Sequence, residues 1–265
     1  MIDPERYLAT LPRSTERDAE GRRNLALLLE YDGTDFLGFQ RQVQEPTVQQ
    51  TLEEALARIL KQDVRVTPAG RTDTGVHAAG QVVNFRTRSP IPADRVAPAL
   101  NGVLPRSIVA LGSTQVAPAF SARYSAQRRV YYYLIWTRPH PSVFLRRFSY
   151  HYPWGLDVAA MDQAARALRG TRDYRSFAVE AAAQRTTVRE VFWVRCRRRG
   201  GLVVIVARAN AFLRGMVRAI VGTLLDVGRG KLAPDQMERI LAARDRAAAS
   251  PAAPPEGLCL ARVDY

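Results

Sequence analysis

The stretch Gly70-Arg71-Thr72-Asp73-Thr74-Gly75-Val76-His77-Ala78 gathers a cation, a carboxylate and two glycines into one short loop. Residues 64–69 before it and 81–85 after it read as strands, so the loop leaves a sheet edge. Glycines let the backbone bend sharply and thrust Arg71 and Asp73 outward. A carboxylate beside a guanidinium stays ionised, because the opposite charge favours its charged form. An ionised carboxylate on a rigid loop has the chemistry of a nucleophile. The plain alternative is a hairpin in which Asp73 and the threonines only tie down their own turn.

The elements around this loop come in a repeated order. Leu25-Ala26-Leu27-Leu28-Leu29-Glu30-Tyr31 is an apolar run stopped by Asp32-Gly33, and it reads as a buried strand. Thr47-Val48-Gln49-Gln50 has capping-box spacing. Val48, Leu52, Leu56 and Ile59 then share one face of a helix ending near Leu60. With the two strands around the loop, the first half reads strand, helix, strand, strand. The second half does the same. Residues 130–136 form a strand rich in tyrosine, and Asp157 starts a helix that Gly170 is placed to end. Strands over 188–199 and 202–209 flank Gly200-Gly201, a strong hairpin signal. A further helix is expected from about Ala211, with Phe212, Met216, Ile220, Leu224 and Val227 on its buried stripe.

The expected fold is therefore α+β. It consists of two tandem related halves, each a mostly antiparallel sheet with helices on one face, similar to RNA-recognition and ferredoxin-like folds, with a cleft between them as the natural place for a site. The boundaries read as a flexible extension over 1–23, a first half over 24–124 and a second over 125–265. The Pro-, Ser- and Ala-rich stretch 89–124 reads as the crossover, and 247–255 as a loop before the last strand.

The chain of 265 residues carries a net charge of +14, which favours a polyanionic partner such as nucleic acid or an anionic membrane surface. Lys61 and Lys231 are its only lysines, so arginine supplies nearly all of the positive charge. Arginine forks onto phosphate and stacks on bases. Clusters at Arg22-Arg23, Arg128-Arg129, Arg146-Arg147 and Arg195 to Arg199 are accompanied by Phe144, Phe148, Tyr150, Tyr152 and Trp193. Basic residues interleaved with aromatics suit RNA, although each cluster alone is no more than a solvated face. Cys196 and Cys259, and His77, His140 and His151, have no metal-ligand spacing. No phosphate-binding glycine motif calls for a nucleotide cofactor. No apolar run is long enough for a membrane span, and the N-terminus lacks a signal-peptide core, so a reducing, cytoplasmic setting is expected.

Tyr131, Tyr132 and Tyr133 alternate sides of their strand, and a tyrosine can stack on a base or move a proton. Arg214 and Arg218 stand one turn apart on the expected helix, and Arg218 falls between core-facing positions, where it snorkels out or pairs with a carboxylate.

Four motifs in order resemble the tRNA pseudouridine synthases of the A type. They are Tyr31-Asp32-Gly33-Thr34-Asp35-Phe36-Leu37-Gly38-Phe39-Gln40, with Phe39 where tryptophan is usual; the 70–78 loop; Phe212-Leu213-Arg214-Gly215-Met216-Val217-Arg218 with Ile220-Val221-Gly222; and Ala253-Pro254-Pro255-Glu256-Gly257-Leu258-Cys259-Leu260. The resemblance runs from about Asn24 to Tyr265. It implies that Asp73 is the catalytic aspartate and that Arg71 helps displace the target base. Tyr131 would contact the flipped uracil, Arg218 would pair with Asp73, and Leu258 would pack under the base. It further implies uridine-to-pseudouridine conversion at positions 38, 39 and 40 of the tRNA anticodon stem-loop, by a homodimer with no cofactor or metal. A non-catalytic RNA-binding module is the competing reading, and a structural protein with acidic partners a third. A pure RNA binder has no use for Asp73 in a basic groove, where it repels phosphate.

Overall fold

The computed structural model describes residues 2–43, 46–179 and 186–265. The chain forms two compact units, one of residues 1–127 with 260–265 and the other of residues 128–259. The sequence reading ends its first half at 124 and gives the whole C-terminus to the second. The structure returns the last residues to the first unit.

The first unit contains α1 (Pro4–Leu8), β1 (Arg23–Tyr31), α2 (Val48–Leu60), β2 (Thr67–Pro68), β3 (His77–Thr87), α3 (Ala93–Asn101) and β4 (Ile108–Val116). Its strands run in the order β4-β1-β3, with β2 on β3, and the pairs are antiparallel. β1 is buried at every position except Glu30, so both faces of this strand are covered. α2 begins where the capping spacing places it: Thr47 accepts the N–H of Gln50. Lys61 in the left-handed region ends it.

Two expectations fail in this unit. The 89–124 stretch is more than a crossover, because α3 and β4 lie inside it. Val96, Ala97 and Leu100 bury α3, and Ser113 of β4 ties the two elements by donating to Ala93 O and accepting from Ala97 N. The N-terminal extension is likewise packed. Asp3 caps α1, and Tyr7, Leu8 and Leu11 are buried. Leu8 lies against Gly112, the neighbour of Ser113, and successive side chains of a strand point to opposite faces. The extension therefore covers the sheet face opposite α3. The Tyr7 hydroxyl donates to the carbonyl of Val263, and burial raises its pKa, so it stays a donor. Leu8→Ala is expected to cost about 2–5 kcal/mol of stability, the usual range for a buried leucine. Urea unfolding checks this, and a loss under about 0.5 kcal/mol would return the segment to a loose tail.

The second unit contains β5 (Arg128–Trp136), β6 (Tyr150–His151), α4 (Val158–Arg166), β7 (Gly170–Asp173), β8 (Val188–Arg199), β9 (Leu202–Ala209), α5 (Met216–Gly228), α6 (Gln236–Ala243) and the start of β10 (Leu258–Asp264). Its strand order is β5-β9-β8-β7, antiparallel throughout, with β6 added parallel to β5. α4 is capped by Asp157, which accepts from Ala160 N. The predicted helix at Ala211 starts later, because Gly215 takes a φ of 69° and resets the chain before α5. Phe212 and Arg214 consequently precede the helix. No helix among the described residues is long and apolar enough to cross a membrane.

Candidate active site

The loop carrying Arg71 and Asp73 joins β2 to β3 and is pinned at both ends. Ala69 N donates to Val82 O at 2.8 Å, and the buried Gln81 side chain donates to Gly70 O at 2.6 Å. Thr72 points inward: it is buried, and its hydroxyl lies 2.8 Å from the buried hydroxyl of Tyr31. Its neighbours are the accessible ones, with Arg71 exposed and Asp73 half-buried.

The opening motif is the wall against which this loop is built. Phe39 N donates to Thr72 O at 3.0 Å, and Gly75 N donates to Phe36 O at 3.3 Å. Within the loop, Val76 N donates to Asp73 O. Phe39, at the position where tryptophan is usual, is wholly buried, and its ring centroid is 6.3 Å from that of Tyr31. Gly33 approaches the loop so closely that a β-carbon there would fall 2.0 Å from Val76 O. His77 is buried with it, and its Nδ1 accepts the N–H of Gly33 at 3.0 Å. That nitrogen therefore carries no proton, and Asp32 Oδ1 at 3.3 Å is a polar neighbour of a neutral ring.

Below the loop, Glu53 of α2 is buried and accepts from Val66 N, from the Gln49 amide, and from Arg65 at 2.6 Å and Arg41 at 3.4 Å. A buried carboxylate so fully hydrogen-bonded holds α2, the approach to β2 and the end of the opening motif as one body. Sequence reasoning missed Tyr31, Thr72, His77 and Glu53 as supports. Tyr31, Thr72 and His77 were visible only as members of their motifs, and Glu53 carried no signal beyond its place in α2.

The other three expected site residues belong to the second unit. Tyr131 and Tyr133 lie on the buried face of β5, and Tyr132 on the opposite one. The Tyr131 ring meets Phe212 edge-on, with centroids 5.2 Å apart and planes at 86°. Tyr133 is a core residue: its hydroxyl donates to Pro254 O, and burial raises its pKa. Arg218, half-buried on α5, donates from Nε to Ala253 O at 2.7 Å, and Ala253 N returns a bond to Arg218 O at 2.9 Å. Gly222, one turn on, permits this contact, since a β-carbon there would lie 1.9 Å from Pro251 O. Leu258 is buried at the start of β10.

The four sequence motifs are thus two packed pairs. The opening motif grips the Asp73 loop in the first unit, and the closing motif is bonded to α5 in the second. Among the described residues, no group of three or more His, Cys, Asp or Glu side chains is gathered closely enough to hold a metal ion.

The family model of tRNA pseudouridine synthases matches residues 28–125 and 164–265. The chain is similar to proteins named tRNA pseudouridine synthase A in several bacteria. The one from Moorella thermoacetica is 45% identical over 91% of this chain and 99% of its own length. That of Halalkalibacterium halodurans is 45% identical, covering 91% of this chain and 92% of the relative. That of Geobacter sulfurreducens is 41% identical, covering 92% and all of the relative. The matched residues take in all four motifs and both packed pairs, so this chain belongs to the tRNA pseudouridine synthase family.

Proposed function

We propose that the chain isomerises uridine to pseudouridine at positions 38, 39 and 40 of the tRNA anticodon stem and loop, with Asp73 as the covalent catalyst. The carrying observation is the Asp73 loop itself. Its backbone is fixed at Gly70, Thr72 and Gly75, with Asp73 half-buried and Arg71 exposed on it. A nucleophile that must meet a carbon in one geometry gains most of its advantage from being held there beforehand.

The reaction breaks the bond from N1 to C1′, joins C1′ to C5, moves a proton from C5 and leaves one on N1. No atom is gained and no electron is transferred, so the residues need neither metal nor cofactor to balance it. Asp73 adds to C6 of the ring or intercepts C1′ of the sugar. In both cases the uridine first leaves its stack, at a cost of a few kcal/mol. Arg71, exposed beside Asp73, takes the role of holding the vacated space. Tyr131 offers its ring to the uracil, and its edge-on contact with Phe212 fixes that ring's plane. Arg218 and Leu258 keep the roles the resemblance gives them. The protein is proposed to act in the cytoplasm as a homodimer.

Incubation with unmodified tRNA bearing uridine at 38, 39 and 40, followed by mass-spectrometric mapping, tests the positions. Pseudouridine at those sites is expected. Modification elsewhere in the tRNA would overturn the anticodon assignment, and none at all would overturn the activity. With +14 net charge dominated by arginine, tRNA affinity should fall about a thousandfold between roughly 50 and 200 mM salt, as for a protein neutralising six or more phosphates. A flat salt response, read by filter binding, would exclude phosphate contacts as the main source of affinity.

A further inference from the structure

Between β5 and α4 the chain makes a strap, residues 138–154, that none of the roles above uses. Phe144 at its tip is 89% exposed and Val143 79%, and Trp154 at its end is 66% exposed. Large apolar side chains exposed together mark an interaction surface. The strap is also well held. Trp136 Nε1 donates to His140 O at 2.8 Å, the His151 ring is 3.0 Å from Arg138 O, and Tyr152 N donates to Trp136 O. At the tip, Ser142 accepts from Leu145 N with its hydroxyl and from Arg146 N with its carbonyl. The Phe144 ring is therefore presented on a fixed turn.

The charge around it selects the occupant. Arg138 and Arg146 are exposed on the strap, whose own residues include no aspartate or glutamate. RNA brings phosphates for the guanidinium groups and base faces for the rings.

We propose that the strap is a second RNA-contacting element, in which Phe144 stacks on an unpaired base of the bound tRNA and Arg138 and Arg146 hold phosphates beside it. This rests on the tRNA reading above and adds a contact that the Asp73 loop does not supply.

The test uses the full-length protein and an unmodified tRNA transcript, with Kd measured by fluorescence anisotropy across a salt series. Phe144→Leu keeps an apolar side chain and removes the aromatic face, so it should weaken binding about tenfold. Phe144→Trp should bind within about twofold of wild type, because stacking is restored. Arg146→Gln should lower affinity and reduce the slope of log Kd against log salt by just under one unit. Light scattering should give the same molar mass for all variants, and thermal melting should not move. Wild-type affinity in Phe144→Leu would overturn the proposal, and so would a fall in that variant's molar mass, which would make the strap an interface between copies. If the wild-type protein itself failed to bind tRNA, the functional reading would fall first; wild-type binding with Phe144→Leu unchanged sinks the strap alone.

Discussion

Asp73→Asn is expected to lower the rate by about four orders of magnitude or more while tRNA affinity stays within about tenfold of wild type. Asparagine keeps the shape of the side chain and removes the charge that makes it a nucleophile. The backbone anchors of the loop are retained. Its anchors are the Thr72 carbonyl and hydroxyl, the Gly70 carbonyl and the Gly75 N–H, together with the Asp73 carbonyl, which the substitution retains. The sign of the affinity change is also fixed. Removing one negative charge from a strongly basic protein lessens repulsion of phosphate, so binding should hold or tighten. A mutant that lost activity and affinity together would point to a broken surface, and one that kept its rate would remove Asp73 from the chemistry.

Gly33→Ala should have the next largest effect, although residue 33 takes no part in the proposed chemistry. The added β-carbon would sit 2.0 Å from Val76 O and 2.6 Å from Val76 C, both backbone atoms that cannot rotate away. Relief requires the opening motif and the Asp73 loop to part by about 1 Å, a displacement that can cost about a hundredfold in rate. The strain should also lower stability by about 1–3 kcal/mol. Gly102→Ala is the matched control, because the only near neighbour of its β-carbon, Ala99 O, is 3.4 Å away and its backbone is ordinary helical. The comparison is read as kcat/KM and melting temperature. Equal behaviour of the two variants would show that the loop does not depend on the wall behind it.

The two residues proposed for the chemistry, Arg71 and Asp73, stood out in the sequence through the company they keep. Alone, a carboxylate and a guanidinium between glycines suit an ordinary turn as well, and it was the four motifs in order that supplied the family. Elements bounded by strong local signals were legible as well. The hairpin of β8 and β9 was, because Gly200-Gly201 parts two strand-forming runs, and so was α2, because Thr47 caps it. What failed depended on distant contacts. α3 was hidden by Pro92 at its N-cap and Pro98 inside it, and its place is fixed by Ser113 and by burial. α1 is too short to show a period, and only the burial of Tyr7, Leu8 and Leu11 reveals its docking. Phe212 fitted the spacing of α5 but lies before it, since spacing cannot register the left-handed turn at Gly215. The supports of the site were invisible for the same reason. Tyr31 meets Thr72 across 41 positions of sequence, and nothing local to either residue announces it.

The most direct measurement is tritium release from tRNA labelled at uridine C5, followed in parallel for wild-type protein and Asp73→Asn at stoichiometric enzyme. The C5 proton must leave if C1′ is to bond there. Wild type should release the label from uridines 38–40 and Asp73→Asn should release none above background over the same period. No release by wild type, or release by the asparagine variant at the wild-type rate, would contradict the account.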